Sequence, residues 1–342
     1  MSQSSTTRSS NRSAVLNAPH DLTIEDRPVP EPGPDEVLVE VGAVGICGSD
    51  VHYYEHGRIG QFVVEAPMVI GHEAAGTVVA VGERVDAARV GQRVALEPGV
   101  PCRRCSECLA GRYNLCPNLT FYATPPYDGA IAELVTLDAE FAHPVPEGVN
   151  DEQAAMAEPV SVGVWACRKA DVRPGERVLV TGAGPIGLLT GQVARGFGAS
   201  VVTVTDISEF RLGVAAKLGL DARPAGDPLT QEYDVLLECS GAPSAVRSGL
   251  RALARAGRAV LVGMGPDEVS IEVPLVQTRE LVVTGTFRYT HTWPLALQLI
   301  ASGAVDVDTL ITHRFGLEQT EDALTLSRRE PESIKGMVRP QE

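Results

Sequence analysis

Arg177-Val-Leu-Val-Thr-Gly-Ala-Gly-Pro-Ile-Gly187 is a short apolar run that stops on one glycine, turns through a second and enters an apolar, helix-forming stretch at a third. At this spacing Gly182 permits a tight turn, Gly184 lets the main chain approach a pyrophosphate, and Gly187 lets the helix pack close to the strand. The pattern predicts a strand over Arg177–Thr181 and a helix over 185–197, whose first N–H groups would face the pyrophosphate. The alternation continues with strand 201–205, helix 209–218, strand 235–238, helix 245–256, strand 259–262 and strand 281–285. Strands and helices of these lengths in strict alternation imply a parallel sheet covered on both faces, an α/β fold. Asp206 closes the second strand, where a carboxylate can accept hydrogen bonds from ribose hydroxyls. Its charge repels a 2′-phosphate and Ile207, not an arginine, follows, so NAD is expected rather than NADP; the plain alternative is an acid at a helix start. Pro185, Ile186 and Arg211 complete the candidate cofactor contacts.

Upstream the texture differs. Segments 37–41, 77–81 and 93–96 are short, Val-rich and separated by Gly or Pro, which marks a mostly β region. The chain has 342 residues, too many for one core, so two domains are expected. Its 29 Lys and Arg are scattered and outnumbered by 44 Asp and Glu, for a net charge of −15. That balance argues against nucleic acid as a partner. No apolar run is long enough to span a bilayer, so no membrane partner is expected. Residues 1–13 are rich in Ser, Thr and Arg and hold neither a secretory apolar stretch nor an amphipathic stripe, so a disordered tail on a cytoplasmic protein is expected.

Seven cysteines divide into a cluster, Cys102, Cys105, Cys108 and Cys116, and three isolated residues, Cys47, Cys167 and Cys239. Four thiolates in so short a stretch can meet one zinc ion at ~2.3 Å. A closed shell of four sulfurs leaves no open position, which makes this zinc structural. Free thiols, a labile disulfide or an iron–sulfur cluster are the alternatives, the last at a spacing unlike common ferredoxin patterns.

Gly45-Ile-Cys-Gly-Ser-Asp50, followed by Gly71-His-Glu-Ala-Ala-Gly76-Thr-Val-Val-Ala-Val-Gly82, resembles the zinc signature of the medium-chain alcohol dehydrogenases. The cysteine cluster and the glycine motif follow in that family's order, so the resemblance covers nearly all of the chain after the tail. Val51-His-Tyr-Tyr, His56-Gly-Arg-Ile-Gly60, Ala123-Thr-Pro-Pro-Tyr-Asp-Gly129, Glu158-Pro-Val-Ser-Val-Gly163, Phe287-Arg-Tyr-Thr and Thr312-His-Arg-Phe315 are similar to the polyol branch, which contains sorbitol and xylitol dehydrogenases. The resemblance implies a GroES-like, mostly β catalytic domain over 14–157 and 297–342, carrying the zinc lobe. A Rossmann doubly wound NAD domain would cover 158–296. It also implies a homotetramer or dimer.

Catalytic zinc takes three protein ligands and keeps one position open. Cys47 offers a thiolate, His72 an imidazole, and either Glu73 or Glu158 a carboxylate. Similarity to sorbitol dehydrogenases makes Glu73 the ligand and puts Glu158 behind the water. Zinc would acidify a substrate hydroxyl, and hydride would pass to the nicotinamide of NAD, giving a ketose from a polyol. By resemblance, Ser49 and His52 relay the proton and Asp50 orients a ligand; His52 as a plain surface histidine is the competing reading. Tyr53, Phe121, Thr124, Arg288 and Tyr289 match positions at the polyol pocket, where each substrate hydroxyl wants a donor or acceptor, and each could instead serve packing or subunit contact. Two rival functions are a dehydrogenase of another alcohol, such as butanediol, and a non-catalytic dinucleotide-binding protein on the same scaffold. The stretch 221–232 is short for its place and is expected to trim a surface helix.

Overall fold

The computed structural model describes residues 10–229 and 231–342. Two compact units divide the chain. The first holds the residues up to Leu109, Cys116–Glu158 and Ile311–Glu342; the second holds Ala110–Leu115 and Pro159–Leu310.

The first unit is built on a mixed sheet whose order is Ala142–Pro144, Arg93–Leu96, Glu73–Val81, Glu36–Gly45, Lys335–Arg339, Ile311–Gly316, with Leu134–Asp138 also paired to Glu36–Gly45. Glu36–Gly45 is the hub. Its register places Gly45 opposite Glu73 on one side and opposite Met337 on the other. The last segment of the chain therefore returns to complete the sheet that the first segment began. Of the expected tail, Asn11–Ser13 belong to the strand Asn11–Ala18, because their backbone pairs with 25–27 and the buried Asn11 amide bonds the backbone of Leu134. Residues 1–9 lie outside the described residues.

The second unit is a six-stranded, wholly parallel sheet in the order Asp221–Pro224, Val201–Asp206, Arg177–Thr181, Tyr233–Glu238, Leu253–Leu261, Val282–Gly285. Helices Pro185–Gly196, Glu209–Lys217 and Pro243–Arg251 connect the strands as the alternation predicts. Several elements differ from the sequence reading, among them a short helix Val273–Thr278 that it did not anticipate. The helix expected over 245–256 ends at Arg251, where Arg279 donates to the carbonyls of Arg251 and Leu253. Leu253, fully buried, already pairs with Tyr233, so the following strand starts early and turns through Ala256 at a φ of 58°. Within 221–232, Asp221–Pro224 forms an edge strand on Val201–Asp206.

The unit's limits also differ from 158–296. Helix Trp293–Ala301 and the chain beyond it stay here, since the Gln192 amide exchanges hydrogen bonds with the backbone of Asp306 and Trp293 is fully buried. Ala110–Leu115 joins them through Asn114 to Phe287 O at 2.8 Å and the Tyr113 hydroxyl, which accepts from His291 N at 2.9 Å. Among the described residues no helix is long and apolar enough to cross a membrane.

Candidate metal centre and cofactor cleft

Cys47 sits at the N-cap of helix Gly48–His56, two residues after the hub strand ends. Glu73 opens the neighbouring strand, and His72 immediately precedes it. One ligand atom from each of Cys47, His72 and Glu73 lies within 4.8 Å of the others. Thiolate, imidazole and carboxylate at this separation are the donor set of a catalytic zinc site, so the residues fit the metal.

Asp50 organises this corner. It is fully buried; Oδ2 accepts from Cys47 N at 2.9 Å and Oδ1 from Gly71 N at 3.0 Å. Oδ1 also lies 3.4 Å from His72 Nδ1. One carboxylate thus fixes the backbone beside Cys47 and His72 and the ring of His72, the kind of supporting contact that a metal site would depend on. Burial works against a charged His72, but Asp50 first and then Cys47 outweigh it and hold the imidazole's pKa well above its ordinary value. A nitrogen that ligates a metal must be unprotonated, so a metal held by His72 would compete with a proton there.

Glu73 has a partner the sequence reading missed. Lys335, the first residue of its strand, donates to both Glu73 oxygens at 2.8 Å and to Ile46 O at 2.9 Å. Burial alone would push Lys335 toward the neutral form, but Glu73, with Cys47 and Glu158 also contributing, keeps its pKa above the usual lysine value. Glu158 is buried in the first turn of helix Ala157–Lys169. It is close enough to act on Lys335 but lies outside the tight Cys47–His72–Glu73 group.

Ser49 and His52 both lie on helix Gly48–His56, half-buried and exposed respectively. The His52 ring meets His56 edge-on at 5.1 Å. Tyr53 is buried on the same helix, Thr124 is half-buried, and the buried Phe121 ring lies 5.9 Å from that of His72. In the second unit, Arg288 covers the Phe287 ring at 4.9 Å and Tyr289 packs edge-on against Trp293 at 6.0 Å.

The sulfurs of Cys102, Cys105, Cys108 and Cys116 also lie within 4.8 Å of one another. Backbone N–H groups of Arg104 and Cys105 draw the Cys102 thiol down to about 6, while burial and the neighbouring sulfurs push the Cys108 thiol up. Cys102 N and Cys108 N point at the sulfurs of Cys116 and Cys105, each at 3.4 Å. Cys167 and Cys239 stand apart, and burial raises both thiols.

In the second unit a cleft of about 830 Å³ opens at the carboxyl ends of the parallel strands. Gly182, Gly184, Asp206, Ile207 and Arg211 line it. Gly182 turns at a φ of 92°, which a side chain would strain. A Cβ on Gly187 would lie 1.8 Å from Gly182 O, so helix and strand approach as closely as the glycine motif requires, and none of the atoms around Gly184 would obstruct one there. Asp206 Oδ2 accepts from Ala183 N at 2.6 Å and Oδ1 from Ser208 N at 2.8 Å. The cleft and its open glycine edge fit a dinucleotide. Pro185 and Ile186 form the helix start above it.

Residues 33–147 match the alcohol dehydrogenase GroES-like domain, and residues 185–302 match the zinc-binding dehydrogenase domain. Sorbitol dehydrogenase of Rattus norvegicus is 45% identical, with 93% of each chain covered. Sorbitol dehydrogenase of Bacillus subtilis (strain 168) is 42% identical over 96% of this chain and 97% of its own. Among solved structures, 2R,3R-butanediol dehydrogenase from Bacillus subtilis superposes with a TM-score of 0.89 at 29% identity, covering 97% of this chain and 100% of the other. L-idonate 5-dehydrogenase from Escherichia coli gives 0.91 at 27%, covering 96% and 98%. With both domain families matched in order and such identity over nearly its whole length, the chain belongs to the zinc-binding medium-chain dehydrogenases, in the branch of the sorbitol dehydrogenases.

Proposed function

We propose that this chain oxidises a secondary hydroxyl of a sorbitol- or xylitol-like polyol to the ketose, with NAD as acceptor. The observation that carries the reading is the Cys47–His72–Glu73 group with Glu158 near Lys335, an acidic set of donors able to hold a metal in a chain 45% identical to a sorbitol dehydrogenase. Zinc held there would supply Lewis acidity to a substrate hydroxyl, and the nicotinamide of a bound dinucleotide would be the hydride acceptor. A second zinc is assigned to the four cysteines.

The chain's own residues do the rest. Cys47, His72 and Glu73 would hold the metal, with Glu158 near enough to act on Lys335. Ser49 and His52 are three residues apart on one helix and so share a face. The first is half-buried and the second exposed, which supports a proton path from the hydroxyl through Ser49 and His52 to solvent. In the first unit Tyr53 would meet substrate hydroxyls, with Phe121 and Thr124 as part of a wall; Arg288 and Tyr289 are the substrate candidates of the second unit. Asp206 at the cleft edge with the exposed Ile207 after it supports NAD over NADP, and the motif from Gly182 to Gly187 with Pro185, Ile186 and Arg211 would seat the pyrophosphate and ribose. Assembly into a tetramer or dimer and a cytoplasmic location remain part of this proposal.

The test is a panel of sorbitol, xylitol, ribitol, galactitol and butanediol, each with NAD and with NADP. Turnover of polyols with NAD is the expected result. Turnover confined to butanediol or to simple primary alcohols would overturn the polyol assignment, and none with any alcohol would favour a non-catalytic binder.

A further inference from the structure

The Lys335 ammonium spends all three of its hydrogens inside the protein: two on Glu73 and one on Ile46 O. Its side chain is 3% exposed and that of Glu73 0%, so the pair is shielded from bulk solvent. A buried carboxylate needs a cation or several donors, and Lys335 meets that need from a strand 262 residues away. Yet Glu73 is also one of the three metal-capable groups. A carboxylate offers about four lone-pair positions; the lysine takes two, leaving the others for a metal. The charges point the same way. A Cys47 thiolate, Glu73, Glu158 and the buried Asp50 would set four negative charges against a dication, and Lys335 offsets one of them.

The geometry points to Lys335 as a positioning residue that shares Glu73 with the catalytic zinc and holds the site's metal affinity below what Cys47, His72 and Glu73 would give without it. This rests on the assignment of zinc to Cys47. Lys335 keeps Glu73 placed and neutralised when the metal leaves, and its charge opposes the metal when it is present. Removing the charge therefore harms the metal-free protein more than the loaded one and strengthens zinc binding.

The experiment starts from zinc-loaded protein and follows release of zinc to a chelator, with thermal midpoints measured with and without zinc. Cys47→Ser supplies the release trace of the four-cysteine site alone. Lys335→Met is expected to release the Cys47-site zinc at least about tenfold more slowly and to show a larger zinc-dependent rise in midpoint than the unaltered protein. Lys335→Gln, which keeps an amide donor, shifts the same way by less. In a Glu73→Gln background the Lys335→Met effect on release is smaller, since only the direct charge repulsion is left to remove. Equal loss of midpoint with and without zinc, or release as fast as or faster than in the unaltered protein, overturns the inference and leaves Lys335 a structural ion pair. If the unaltered protein holds no more zinc than Cys47→Ser, the metal assignment itself fails, and this inference with it.

Discussion

At Gly45 a Cβ would sit 2.2 Å from Glu73 Oε2 and 3.3 Å from Glu73 Cβ, so the missing side chain is what lets the carboxylate lie across the hub strand. Gly45→Ala is expected to push Glu73 out of its clamp, lowering zinc retention and turnover while NADH binding stays unchanged, and to cost about 1–3 kcal/mol of stability as overpacking does; metal content and NADH fluorescence titration check both halves. At the cofactor end, Asp206→Ala is expected to lower kcat/KM for NAD about tenfold or more, roughly 1.4 kcal/mol, and to narrow the gap to NADP. Steady-state kinetics with both cofactors measure it, and an unchanged preference would remove Asp206 from the cofactor site. Cys47 and His72 as a pair and Asp206 at the cleft were legible because each sits in a short motif of chemically distinctive types, whereas between Glu73 and Glu158 the residues alone did not choose and only the resemblance favoured Glu73. Lys335 was not legible: a single lysine at the head of a late strand carries no periodicity, and only the pairing of Lys335–Arg339 with the hub strand brings it to Glu73.

Short helix Asp151–Ala155 is tied to the returning strands by Glu152, which accepts from Arg314 Nε at 2.9 Å and Arg339 Nε at 2.8 Å. Burial opposes the charge on Glu152, but the two guanidinium groups outweigh it and hold the carboxyl below its ordinary value. A folded pKa depressed in this way contributes stability that is fully present above the unfolded carboxyl value and is lost as pH falls through the folded one. Urea unfolding of Glu152→Gln should therefore show a deficit of about 1–2 kcal/mol at neutral pH, the arginines being partly exposed, that shrinks toward zero in acid. A deficit independent of pH would contradict the charge as its source. Element boundaries were where the sequence misled. The Ala- and Arg-rich stretch after Pro243 has helical propensity throughout, but burial of Leu253 against the sheet overrides it. Asp221–Pro224 is polar, four residues long and ends on proline, so it gave no strand signal although an edge strand tolerates all three.

Across the whole chain the order of elements was legible because strand–helix alternation in one region and short Val-rich strands in another leave few arrangements. The four-cysteine cluster belongs to this scale, since its proposed metal holds a loop rather than a reacting atom. Cys105→Ser is expected to lower zinc from two ions per chain to one and to hasten thermal inactivation, while polyol turnover at low temperature persists; loss of turnover in step with that zinc would give the cluster a different role. The central claim concerns the other ion. Its most direct test is NADH production from sorbitol or xylitol while zinc is removed by a chelator and then restored, in the unaltered protein and in Cys47→Ser. Turnover that falls and recovers with occupancy of the Cys47 site, and that Cys47→Ser never shows, is the predicted result. Undiminished turnover in Cys47→Ser, or after that zinc has gone, would contradict it.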